Sequence, residues 1–152
     1  MGVWDLIHPK IVAVSQKLFE DGHYANAAED AFVEINDRVK KLFMKVNPTA
    51  SKIPDGHTAM NMVFSDNAPL VEFCDRSTET GSNIQKGYMQ MLAGAMSALR
   101  NPKAHANITI TKDDAMRRLM FASMLMYVSL MKRMPQMYLV LLPKIQMLQQ
   151  VQ

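Results

Sequence analysis

Apolar residues recur at intervals of three and four along most of the chain, the period of a helix with one buried face. The clearest stripe is Tyr24, Ala27, Ala28, Ala31, Phe32, Ile35, Val39, Leu42 and Phe43, with Glu29, Asp30, Glu34, Arg38 and Lys41 off it. It predicts a long helix from about Tyr24 to Val46. An earlier stripe of Ile11, Val12, Ser15, Leu18 and Phe19 predicts a helix that starts at Pro9 and stops at Asp21-Gly22. Proline suits a first helical turn because its missing N–H has no partner there anyway, and glycine suits a helix end.

Asn47-Pro48 ends the long helix, and Pro54-Asp55-Gly56 reads as a turn. Thr58 is placed to cap a short helix through Ala59, Met60, Met62, Val63 and Phe64. Residues 65–82 show no sustained period and are expected to form an ordered loop. Ser82 or Asn83 then caps a helix whose predicted stripe is Ile84, Tyr88, Met91, Leu92, Ala95, Met96 and Leu99. This helix should stop near Arg100, because Asn101 precedes Pro102 and is turned away from helical angles. Thr111-Lys112-Asp113-Asp114 resembles a capping box for a further helix carrying Ala115, Leu119, Ala122, Ser123, Met126, Val128 and Leu130, which Pro135 ends or kinks. A last apolar stretch, Met137 to Leu148, is broken by Pro143. The pattern predicts an all-α fold, an antiparallel up-and-down bundle of four to six helices. It spans residues 1–135, and 136–152 add a C-terminal helical extension of the same domain.

Composition changes this picture little. A chain of 152 residues, 49% hydrophobic and 20% charged, is one ordinary globular domain. The net charge of +3 is compatible with a polyanionic partner, but no run of like charges concentrates it along the chain. The 15 methionines read as flexible core filling at positions such as Met91, Met96, Met120, Met124 and Met131, with some available to line a dimer face. A lone cysteine, Cys74, excludes an internal disulfide and reads as an inert thiol. The longest uncharged stretch, Leu119 to Met131, has 13 residues, too few to span a bilayer. With no apolar leader among charged Asp5, Lys10, Lys17 and Glu20, the expected protein is soluble and cytoplasmic and has no membrane partner.

Candidate chemistry is confined to one segment, Arg100-Asn101-Pro102-Lys103-Ala104-His105. An arginine on the last turn, a helix-ending proline and a histidine after the reversal can meet in space. A guanidinium grips phosphate oxygens, and an imidazole with a pKa of about 6.5 exchanges protons at neutral pH. Together they suffice for attack of a ribose 2′-hydroxyl on its neighbouring phosphate, with no metal or other cofactor. Spacing alone leaves another reading open, in which Arg100 simply favours its helix C-terminus and His105 is a polar loop residue. His8, His23 and His57 lie on separate elements without ligand spacing; His8 suits a cap or packing position at the first helix and His23 a turn. Asp55 and Asp75 have no partner visible in the sequence. Trp4 reads as a packing anchor.

The string from Arg100 to His105 resembles the R-x4-6-H signature of the HEPN superfamily, with a polar residue directly after the arginine. More specifically, residues 7–130 resemble the small Ymh-type group of HEPN proteins. The similar segments are Ile7-His8-Pro9-Lys10-Ile11, Leu18 through Ala27, Asp55-Gly56-His57-Thr58-Ala59-Met60, Phe64-Ser65, Gln85-Lys86-Gly87-Tyr88 and Gly94-Ala95-Met96. Ala59 departs from the pattern, where a leucine is expected, and nothing after Pro135 matches. The resemblance implies a helical homodimer with its motifs facing each other and, in catalytic members, a metal-independent endoribonuclease leaving a 2′,3′-cyclic phosphate. Carried over, Arg100 holds the scissile phosphate, His105 transfers the proton, Asn101 orients one of them or the phosphate, and Lys103 contacts the RNA backbone. The resemblance further implies a toxin–antitoxin or phage-defence setting, with an antitoxin or nucleotidyltransferase as partner. Its alternative is a non-catalytic HEPN domain that binds RNA, a nucleotide or a protein.

Overall fold

The computed structural model describes residues 2–100 and 108–130. Among them the chain forms a short 3-10 turn, Val3–Leu6, and five helices: α1 (Pro9–Glu20), α2 (Tyr24–Val46), α3 (Gly56–Val63), α4 (Glu79–Ala95) and α5 (Lys112–Leu130). No strand occurs among the described residues. The all-α bundle expected from the periodicity is therefore what the sequence forms. The region from 131 onward, including the expected boundary at 135 and the extension to 152, lies outside the described residues.

The first two helices match their predicted limits because the turn between them is chemically specified. Gly22 adopts φ +85°, which any side chain would resist. The Gly22 N–H donates to the Phe19 carbonyl at 3.1 Å and the His23 N–H to the Leu18 carbonyl at 2.8 Å, closing the end of α1. His8 caps the other end, its Nδ1 accepting from the Lys10 N–H at 3.1 Å while its ring meets Tyr127 edge-on. Trp4 anchors the N-terminus by packing edge-on against Phe19.

α2 is the centre of the bundle and packs against α1, α3 and α5. Its stripe of Ala27, Ala31, Phe32, Ile35 and Val39 is fully buried, together with Ile11 of α1 and Leu119, Leu125 and Met126 of α5. Burying each large side chain stabilises the fold by about 1.5–3 kcal/mol. Polar ties fix the helices lengthwise. The Ser15 hydroxyl donates to the Ala27 carbonyl, and the His8 N–H donates to the Ser123 hydroxyl, both at 2.8 Å. Thr111 caps α5 as expected, accepting from the Asp114 N–H at 3.1 Å.

Three expectations require correction. Thr58 does not cap α3; the helix begins at Gly56 with Asp55 in the capping position, three residues earlier. Neither Ser82 nor Asn83 caps α4, which starts at Glu79 because the Thr78 hydroxyl accepts from the Gly81 N–H at 3.0 Å. The preceding loop lies directly over that first turn, where a Cβ on Gly81 would sit 1.7 Å from the Asp75 carbonyl oxygen. The buried face of α4 is also rotated from the predicted stripe. Ile84 and Met91 are exposed, and Gly81, Gln85, Leu92, Ala93 and Ala95 point inward. Likewise Met96 is core, whereas Met120 and Met124 are exposed.

The rotation has a polar cause. Gln85 is fully buried; its Nε2 donates to the Phe64 carbonyl at 2.9 Å and the Val71 carbonyl at 3.1 Å, and its Oε1 accepts from the Phe73 N–H at 3.0 Å. One carboxamide thus satisfies three backbone groups of the loop after α3. Arg76 closes the same loop from outside, through Glu72 and the Asp66 and Asn67 carbonyls. Gln85→Leu keeps the volume but orphans those backbone groups, so urea denaturation is expected to show a loss of about 2–4 kcal/mol.

Candidate functional site

α4 does not end as an α-helix. Its last turn, Met96–Arg100, widens into a π-helix, a form that occurs mostly as single turns and often at functional sites. Each residue of an α-helix advances the side-chain direction by about 100°. The extra residue taken up by the wide turn therefore re-aims Arg100 relative to a helix continued regularly. The turn packs against α2 and α3, and Arg100, 23% exposed, reaches the N-terminus of α3.

There the Arg100 Nη1 donates to Asp55 Oδ2 at 2.9 Å. The other carboxylate oxygen is held from α2: Oδ1 accepts from Asn36 Nδ2 at 2.8 Å and from Lys40 Nζ at 3.3 Å. Asn36 and Lys40 stand four apart and so share one flank of α2. Asn36 is only 1% exposed, and its Oδ1 accepts from the Gly56 N–H at 2.9 Å. A single buried carboxamide thus holds both the carboxylate of Asp55 and the first amide of α3. Gly56 is required here for two reasons. Its φ of +54° disfavours any side chain, and a Cβ would lie 3.1 Å from Arg100 Nη1.

The electrostatics follow from this geometry. The Asn36 hydrogen bond, with the Arg100 and Lys40 contacts, lowers the Asp55 pKa from 3.8 to about 2, against the opposing effect of partial burial. An acid this strong is ionised at neutral pH and too weak a base to take a proton from a hydroxyl. Asp55 is therefore a fixed negative charge that orients Arg100. Among the described residues no group of three or more histidine, cysteine or carboxylate side chains could hold a metal ion. His57 is exposed on α3 beside Asn61, and Cys74 is half-buried with its thiol toward the Gly81 carbonyl.

Of the residues singled out in the sequence, Arg100 stands where expected, at the end of the fourth helix. Asn101, Lys103 and His105 lie outside the described residues. Asp55, Asn36 and Lys40 were not visible as site residues. One signal existed: at helical spacing Asn36 falls among the apolar Phe32, Ile35 and Val39, at the edge of the buried stripe. A carboxamide at a buried position needs partners, and the Asp-Gly turn ahead of a short helix supplies them.

These features define an all-helical protein with an arginine fixed by an aspartate at the end of a π-turn. The chain belongs to the family described as Protein of unknown function (Hypoth_ymh), whose model matches residues 5–128. No curated protein and no solved structure matches it. No helix among the described residues is long and apolar enough to cross a membrane.

Two measurements test the cluster. Because the folded carboxyl is the stronger acid, its contribution to stability is complete above the ordinary value of 3.8 and is lost as pH falls toward about 2. Thermal unfolding followed across that window should show a steeper acid loss in the wild type than in Asp55→Asn. Gly56→Ala should cost about 1–2 kcal/mol in urea denaturation from its left-handed backbone alone.

Proposed function

We propose that the protein is a HEPN-type, metal-independent endoribonuclease, and the observation that carries this reading is the fixed guanidinium of Arg100 at the head of the Arg100–His105 string. A substrate phosphate seated on Arg100 meets a cation whose direction is set before binding, so little ordering remains to be done in the transition state. The ribose 2′-oxygen attacks the adjacent phosphorus as its proton leaves to a base. The bond from phosphorus to the 5′-oxygen breaks, that oxygen takes up a proton, and the products are a 2′,3′-cyclic phosphate and a 5′-hydroxyl. Arg100 stabilises the negative charge on the phosphorane oxygens, and His105 transfers the proton. Asn101 orients these groups, and Lys103 contacts the backbone. Two copies facing each other in a homodimer supply one histidine as base and one as acid. RNA cutting of this kind suits a toxin or phage-defence effector held in check by an antitoxin or nucleotidyltransferase in the cytoplasm.

A second reading is favoured by the same contact. Arg100 Nη1 is engaged by Asp55, which is the arrangement of a purely structural ion pair. In that case the chain is a non-catalytic HEPN domain that binds RNA, a nucleotide or a protein.

Incubating RNA with the purified protein in EDTA separates the two. The ribonuclease yields 2′,3′-cyclic phosphate ends, and folded Arg100→Ala and His105→Ala variants are inert. Intact RNA across a broad panel, with a folded protein, supports the binding domain instead; cleavage by both variants places the activity elsewhere. As a positioning residue, Asp55 has its own signature. Asp55→Ala should lower kcat by roughly 10- to 100-fold while leaving the pH profile in place, because the group that moves the proton is untouched.

A further inference from the structure

An open pocket of about 440 Å³ lies where the 3-10 turn, the end of α1 and the first turns of α2 and α5 come together. That is within the size range of small-molecule sites. Its aromatic lining is Trp4 from the 3-10 turn, Phe19 from α1 and Tyr24 from α2. The rings meet at steep angles. Trp4 and Phe19 stand at 86° with centroids 5.5 Å apart, and Phe19 and Tyr24 at 66° and 5.2 Å. Rings set in this way turn more than one π face, each partly negative, toward a shared space. The polar lining is Glu20, Lys112 and Asp113, all exposed. Two carboxylates against one ammonium leave the pocket negative, on a chain whose net charge is +3.

We infer that this pocket binds a quaternary ammonium group, held by cation–π contact with the three rings and by the carboxylates of Glu20 and Asp113. The inference goes beyond the ribonuclease reading and shares no residue with the Arg100 cluster. One cation already marks the position: the Lys112 Nζ stands over the Phe19 ring, 5.9 Å from its centroid. A contact of this kind reaches to about 6 Å, so the ring holds Lys112 only loosely. The helix dipole does not put it there. Lys112 opens α5, where the helix end is itself positive and favours Asp113 and Asp114 instead. The attraction therefore comes from the ring and the neighbouring carboxylates. A quaternary ammonium is the better occupant because of its hydration. The ammonium of a lysine is compact and strongly hydrated, whereas methyl groups spread the charge over an apolar surface that aromatic walls accept. An anion is opposed by Glu20 and Asp113, and a neutral ligand gains nothing from them.

Trp4 is the one tryptophan of the chain, so its fluorescence reports what enters the pocket. The whole chain is titrated at constant ionic strength with choline, with N-acetyl trimethyllysine amide, and with dimethylbutanol, the uncharged isostere of choline. At least one of the two cations should give a saturable change, with a Kd on the order of 1 mM. The isostere should bind about tenfold more weakly, the loss of its cation–π and carboxylate attraction. Whichever cation binds more tightly separates a free small molecule from a modified lysine side chain as the source. Lys112→Met removes the competing cation and should tighten binding about two- to fivefold. Glu20→Gln combined with Asp113→Asn should weaken it by a similar factor. All three positions are exposed, so these variants keep the fold. No saturable change with either cation, equal binding of the isostere, or indifference to all of these substitutions overturns the proposal. RNA cleavage in EDTA is scored separately, and neither result decides the other.

Discussion

A carboxamide buried in the flank of α2 makes three separate parts of the chain into one structure. Asn36 cannot remain unpaired in an apolar environment, since an unsatisfied buried group costs about 1–3 kcal/mol. Its two ends find Asp55 and the Gly56 amide. That choice fixes where α3 begins, and with it the direction of the Asp55 carboxylate. The carboxylate in turn fixes Arg100, which is why α4 has to finish in a turn that delivers a guanidinium to that place. The order of dependence runs from a single buried polar side chain to the site, and the apolar core supplies the rigidity behind it.

Gln85 plays a parallel part at the other side of α3. It holds the loop after α3 by three backbone hydrogen bonds, as Asn36 holds the loop before it. The short helix α3 is thus defined at both ends by carboxamides projecting from longer helices. Eight residues are too few to be helical in isolation, so its position depends on these ties and on Ala59, Met60 and Val63 in the core. A site built on so short an element is accurate only because long elements hold it.

This explains what could and could not be seen in the sequence. The limits of α1 and α2 were legible because local chemistry sets them: Pro9, the Asp21-Gly22 stop and the Asn47-Pro48 break act on their own neighbours. The start and face of α4 were not, because both answer to distant backbone groups. Hydrophobic periodicity places Ile84 and Met91 inside and Gln85 outside, and the demand of three loop groups reverses that order. The site divides in the same way. Arg100 stood out through its place beside a helix-ending proline, whereas its partner lies 45 residues earlier in a segment that reads as an ordinary turn. The charge pattern was hidden for a related reason. Lys40 joins the site only because the chain returns to it at Asp55, fifteen residues later.

On the proposed ribonuclease reading, an aspartate beside the arginine that meets the phosphate weakens the site, since it repels the ligand and occupies a donor. Two features reduce that penalty here. Asp55 uses Oδ2 toward Nη1, one of the five N–H donors that a guanidinium carries spread over three nitrogens. Lys40 bonds the other oxygen, so the group of Lys40, Asp55 and Arg100 retains one net positive charge. The arrangement exchanges some ligand affinity at Arg100 for a fixed direction of its guanidinium. Such an exchange suits a site whose geometry matters more than its grip, because a direction set in advance need not be ordered when a ligand arrives.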